Sequence, residues 1–127
     1  MTTIEKELFF TRDEYAARLA TLRGHMRDAG LDALLVASPE NIYYVTGHQT
    51  FGFHTFQLAC VPLDRDPFLV TRYLESFNAD RYAWIDDIVR WDDTVDPVTA
   101  TVEALKARGL AGKRVGIEEK AFFLQVA

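Results

Sequence analysis

Leu31-Asp32-Ala33-Leu34-Leu35-Val36-Ala37 runs directly into Ser38-Pro39-Glu40-Asn41-Ile42-Tyr43-Tyr44-Val45-Thr46-Gly47. The first seven residues are almost continuously apolar, the pattern of a strand buried on both faces of a sheet. The next ten read as a short helix, with Ser38 at the cap, Pro39 in the first turn and Gly47 at the end. A buried strand passing straight into a helix is the joint of an α/β layer structure.

Upstream of this joint lies a longer helix. Thr11 and Glu14 form an S/T-x-x-E capping box, and Phe10 and Tyr15 occupy the hydrophobic-staple positions around it. Apolar residues recur at Tyr15, Leu19, Leu22, Met26 and Ala29, one face of a helix, and Gly30 suits the left-handed residue after its end. Gly24, inside the helix, should cost about 1 kcal/mol relative to alanine, which five apolar anchors can outweigh.

Downstream, residues 53–61 and 68–71 read as strands. The turn Pro62-Leu63-Asp64-Arg65-Asp66-Pro67 between them predicts an antiparallel hairpin. Residues 73–84 read as a helix with Tyr73, Phe77 and Trp84 on its apolar side, and 85–91 as a strand. Asp96-Pro97 starts another helix, lined by Val98, Val102 and Leu105 and stopped by Gly109; residues 114–118 form a last strand. Residues 119–127 begin like a helix without a capping glycine or polar tail, so the chain is expected to be part of a longer protein.

The 127 residues are expected to form a single domain, 1–127. Hydrophobic residues at 49% and charged residues at 26% are globular proportions. A net charge of −5 with no basic run argues against a nucleic-acid partner and against an anionic membrane surface. No apolar run approaches the roughly 18–20 residues of a membrane span, and no signal-peptide pattern opens the chain. The single Cys60 excludes an internal disulfide. A cytoplasmic domain is the resulting expectation.

Neither G-x-G-x-x-G, nor G-x-x-x-x-G-K-[ST], nor a G-x-S-x-G elbow occurs. Cys60, among Leu58, Ala59 and Val61, reads as a buried structural thiol. His48 and His54 flank an aromatic loop with Phe51, Phe53 and Phe56. That loop reads either as a ligand-contacting wall or as a hairpin entry whose rings pack in the core. Two histidines six apart match no common zinc spacing. His25 falls on the outer side of its helix. Asp86, Asp87, Asp92, Asp93 and Asp96 could be read as a metal or acid–base cluster, but each falls at a strand end or helix cap, where aspartate has local reasons to be. Arg72, at a strand end, could grip a substrate carboxylate, or pair with Glu75 one turn later, which is the preferred reading.

In order and spacing, these elements resemble the N-terminal domain of the creatinase/prolidase/aminopeptidase P family. The resemblance rests on Phe10-Thr11-x-x-Glu14-Tyr15-x-x-Arg18-Leu19, then Met26, Gly30 to Val36, and above all Pro39-x-Asn41-Ile42-x-Tyr44-Val45-Thr46-Gly47. Val115-Gly116-Ile117-Glu118 matches the place where such domains close their last strand.

The resemblance implies a three-layer α/β domain, a mixed β-sheet flanked by helices in a ribonuclease-H-like arrangement. It implies a C-terminal pita-bread domain as partner, carrying the catalytic machinery. In the peptidases that machinery is two divalent metals (Mn, Co or Zn) on two Asp, one His and two Glu; creatinase-like members use a histidine instead. None of it falls in this chain, so no catalytic residue, metal ligand or cofactor is assigned here. The N-terminal domain would build a homodimer, reach over the partner subunit's active site, and contact a small peptide or an amidino or amide substrate there. Phe53 falls at the family's aromatic substrate position, and Thr55 where creatinase-like members carry an arginine, which disfavours creatine. The expected substrate-contacting residues, acting in trans, are Phe53, His54, His48 and Arg72. A free-standing small-molecule or protein-binding module of the same fold is the alternative.

Overall fold

A computed structural model describes residues 5–50 and 55–118. The elements are α1 (Arg12–Asp28), β1 (Ala33–Val36), α2 (Pro39–Thr46), β2 (Gln57–Pro62), β3 (Phe68–Arg72), α3 (Tyr73–Tyr82), β4 (Ile88–Trp91), α4 (Pro97–Ala107) and β5 (Val115–Ile117). Five strands form one sheet in the order β4-β3-β2-β1-β5. β2 is antiparallel to both β1 and β3, whereas β5 is parallel to β1 and β4 to β3. Four strands therefore run one way and β2 alone runs back, with the expected hairpin joining it to β3.

The pleat sorts the core into two clusters. Val36, Ala59, Val61 and Leu69 face α1, α2 and α3 through Leu19, Met26, Ile42, Val45 and Ala79. Ala33, Leu35, Leu58, Cys60, Phe68 and Val70 face the other way, onto Ala104 of α4 and Leu110. Helices thus cover both faces of a mixed sheet, the three-layer α/β fold expected.

α1 follows the sequence closely. Thr11 Oγ1 accepts the Glu14 N–H at 3.1 Å, and the Phe10 and Tyr15 rings meet edge to face with centroids 6.0 Å apart. The capping box is only half made, because Glu14 Oε1 takes the Arg18 Nε–H instead. Tyr15, Leu19 and Met26 are buried and Leu22 packs against them, but Ala29 is exposed beyond the last turn.

Two other helices turn the expected faces around. α3 buries Glu75, Ser76 and Ala79, leaving Tyr73, Leu74 and Phe77 54%, 65% and 52% exposed. The reason is clearance. α3 starts directly at the end of β3, and the small residues Ser76, Ala79 and Ala83 let it lie close to the sheet, where rings would not fit. Trp84 lies past the helix end and donates its Nε1–H to the Val45 carbonyl at 2.7 Å. In α4 the small Thr101 and Ala104 go inward, with Leu105 half-buried, while Val98 and Val102 stay exposed. The predicted strand at 85–91 starts only at Ile88; Ile85 is buried as a loop residue. The predicted strand at 53–61 is observed as Gln57–Pro62, and its first two residues lie outside the described residues. The expected helical start at 119–127 lies outside them too.

Candidate functional site

With β2 antiparallel, its first residue lies at the same edge as the carboxyl ends of β1, β3, β4 and β5; Gln57 pairs with Thr71, next to Arg72. Crevices outside the carboxyl ends of parallel strands are where α/β sheets place ligands. Here that edge gathers α2, His48, Gln57, Arg72 and Glu118.

The Thr46-Gly47-His48 corner is fixed by local chemistry. Thr46 Oγ1 donates to the Ile42 carbonyl at 2.7 Å and accepts the His48 N–H at 3.0 Å. Gly47 has φ 85°, and a Cβ there would lie 2.7 Å from both Tyr15 Oη and the Tyr82 carbonyl. Backbone conformation and lack of space both require glycine at this position.

His48 is thereby turned inward, and it is 1% exposed. Its Nε2 lies 3.2 Å from Gln57 Oε1. A side-chain amide oxygen can only accept, so Nε2 carries the proton and donates. Burial lowers the His48 pKa to about 4, the Gln57 hydrogen bond opposing that shift. The ring is therefore neutral near pH 7, and Nδ1 is an acceptor. That Nδ1 has no hydrogen-bond partner among the described residues. His48 helps line a cavity of about 440 Å³, together with Pro39, Glu40 and Tyr43 of α2 and with Gln49 and Gln57 among others.

α2 begins at this cavity, and its cap differs from the one expected. The Ser38 side chain makes no capping bond. Instead the Glu118 carboxylate reaches across from the end of β5. It accepts the Ala37 N–H at 3.2 Å, the Ser38 N–H and the Asn41 Nδ2–H. Burial alone would raise the Glu118 carboxyl, but the hydrogen bonds from Asn41, Ser38 and Ala37 outweigh it and hold it below the usual range. The stabilisation this carboxylate adds is present above the ordinary glutamate pKa and disappears as pH falls through the depressed value.

Arg72 is committed elsewhere. It forms a two-pronged pair with Asp93, both contacts at 2.9 Å, and lies 3.9 Å from Glu75. The expected Glu75 pairing is the weaker of the two contacts, and the guanidinium holds the Asp93 carboxyl below its usual range. Of the other aspartates, Asp92 accepts from Thr94 and Asp96 caps α4, the local roles expected, whereas Asp86 and Asp87 make ion pairs distant in sequence, with Lys6 and Arg108. Cys60 is buried, and burial pushes its thiol up to about 12, the state of an inert structural cysteine. His25 is exposed, as read.

Of the four expected contact residues, the structure places His48 at the cavity and Arg72 in an ion pair farther along the same edge; Phe53 and His54 lie outside the described residues. Sequence reasoning passed over Gln57 and Glu118. Gln57 carried a signal: it is a polar residue opening an otherwise apolar strand run. Glu118 carried none beyond closing the Val115-Gly116-Ile117 strand, because its partner is some eighty residues away.

The sequence profile of the Creatinase/Prolidase N-terminal domain family matches residues 18–127. An ectoine hydrolase of Halomonas elongata is 34% identical over 83 residues, 65% of this chain and 21% of that protein. An Xaa-Pro dipeptidase of Lactobacillus delbrueckii subsp. lactis is 31% identical over 90 residues, 71% of this chain and 24% of that protein. Among solved structures, a proline dipeptidase from Streptococcus pneumoniae superposes with a TM-score of 0.70 at 26% identity, covering 80% of this chain and 73% of that one. The chain thus spans under a third of the length of these two curated relatives.

Proposed function

The chain belongs to the creatinase/prolidase N-terminal domain family, and from that premise we propose that it is the non-catalytic, substrate-positioning and dimerisation domain of an Xaa-Pro dipeptidase-like or creatinase-like hydrolase. Its partners on this reading are the C-terminal pita-bread domain of the same protein, a second subunit and a small peptide or amidino or amide substrate. The observation that carries it is His48. An imidazole with a pKa of about 4 is poorly matched to general-base work near neutral pH, yet it sits at the edge of the sheet where α/β folds tend to place ligands. Such a group can shape a binding surface from behind without taking part in proton transfer. The two divalent metals that the peptidases use belong, on this reading, to the C-terminal domain. Among the described residues no group of three or more His, Cys, Asp or Glu is placed so as to hold a metal ion. A cytoplasmic setting is part of the same proposal; no helix among the described residues is long and apolar enough to cross a membrane.

Heterodimers of the full-length protein test the reading. Phe53→Ala and His54→Ala should each lower kcat/KM by roughly 5- to 150-fold, the worth of one good transition-state contact, with the fold intact. Mixing either with a catalytic-domain knockout should restore one competent site per dimer. Heterodimers that form yet recover no activity would overturn the positioning role in trans.

A further inference from the structure

We propose that the outer face of α3 is a self-association surface, on which a second copy of this chain docks antiparallel about a two-fold axis through Phe77. This rests on the dimerisation part of the reading above and names the surface that would carry it.

The face has the make-up of a contact. Tyr73, Leu74 and Phe77 are among the most exposed large apolar side chains of the described residues, and they share one side of one helix. Three such side chains, each about half exposed, present roughly 300 Å² of apolar surface, the size at which a patch on a monomer often has a function. The rings are already ordered. Tyr73 and Phe77 meet edge to face with centroids 5.4 Å apart, so little freedom is lost on docking. The helix beneath them is fixed as well, because Arg90 of β4 donates to Ser76 Oγ and pairs with Asp80.

Spacing and charge select a second copy as the occupant. Tyr73, Phe77 and Arg81 follow one another in four-residue steps along α3, with Phe77 in the middle. A two-fold axis makes every contact reciprocal. With Phe77 on that axis, the two Phe77 rings meet, and Tyr73 of each chain lies opposite the partner's Arg81. A guanidinium over a tyrosine ring is an attractive pair. Arg81 can supply it without giving up its own bond: one Nη pairs with Glu7 at 3.0 Å along the edge of the group, which leaves the flat face for a ring. The acids match too. Asp93, bonded to Arg72 beside Tyr73, has a side chain that is 68% exposed, at the end of the helix where the partner's Arg81 arrives. A parallel arrangement would instead set Arg81 against the partner's Arg81. The ridge is well below the roughly 800 Å² per partner of a stable interface, so the dissociation constant of this chain should be on the order of 100 µM.

The test is sedimentation equilibrium of the 127-residue chain from about 5 µM, where it should be monomeric, to about 500 µM, where dimer should predominate. Phe77→Ala and Arg81→Glu, both at exposed positions, should each weaken the association at least about tenfold. Val98→Ala, exposed on α4 at the other face of the sheet, should leave it unchanged. A chain that stays monomeric throughout overturns the proposal. So does an association that Phe77→Ala or Arg81→Glu leaves as tight, or that Val98→Ala weakens equally. The same variants in the full-length protein separate this inference from the reading beneath it. A full-length dimer indifferent to Phe77→Ala and Arg81→Glu keeps the dimerisation reading and removes α3 as its surface, whereas a monomeric full-length protein overturns the dimerisation reading itself.

Discussion

α1 and α3 lie on the same face of the sheet and are attached to it by opposite means. α1 is held by large apolar side chains: Tyr15, Leu19 and Met26 go inward and its polar residues face out. α3 goes inward with Ser76 and Ala79, turns its rings outward, and is pinned by polar contacts from a neighbouring strand. Arg90 of β4 donates to Ser76 Oγ at 2.9 Å and pairs with Asp80, while the Lys6 ammonium donates to the Asp80 carbonyl at 3.1 Å. Apolar burial tolerates some misplacement; a guanidinium bridging two acceptors does not. The difference teaches that an apolar stripe marks the inner face of a helix only where the neighbouring layer leaves room for it. Tyr73, Leu74 and Phe77 form a clustered exposed apolar surface of the kind that marks contact sites.

The largest effect should come from α1. Met26→Ala should cost about 2–5 kcal/mol in denaturant melts, since it empties a buried site between helix and sheet. Next in size is Arg90→Met, which leaves Ser76 and Asp80 without their bridge; a loss of about 1–3 kcal/mol is expected. A loss under half a kcal/mol would break the comparison, for α3 would then rest on its few buried small residues alone. Thr11→Ala should remove the α1 cap and cost about 1 kcal/mol, read as a shift in the melt midpoint at unchanged slope. Smallest of all should be Phe77→Ala, within about 0.5 kcal/mol, although burial in a core would make the same truncation cost about 3–5 kcal/mol. A core-sized loss at Phe77 would mean that both helices are held in the same way.

The pattern of what the sequence discloses follows from that contrast. α1, β1, α2 and the β2–β3 hairpin are legible because their signals are local: a cap, a stripe, a proline at the first turn, a glycine forced to positive φ. The inward faces of α3 and α4 are not, because Ser76, Ala79, Thr101 and Ala104 contribute little to any hydrophobic pattern. What selects them is the nearness of the sheet, a tertiary fact. At the candidate site, His48 stands out as a residue next to Thr46-Gly47, but its neutrality comes from burial, and its hydrogen-bond partner Gln57 sits in another element. Arg72 is similar: Glu75, one turn away, is the visible partner, whereas the two-pronged bond goes to Asp93, beyond β4.

The Glu118 carboxylate has a mechanical consequence. It works as a rivet that closes a ring of about eighty residues, with three donors on the Ala37–Asn41 side and β5 on the other. The backbone at residue 118 is also tied to β1, its N–H donating to the Leu35 carbonyl at 3.1 Å, but that single bond would leave it free to turn. The rivet removes that freedom, so residue 118 is held in place relative to α2. A displacement of residue 118 would therefore be felt at the first turn of α2, and through that helix at the corner that aims His48.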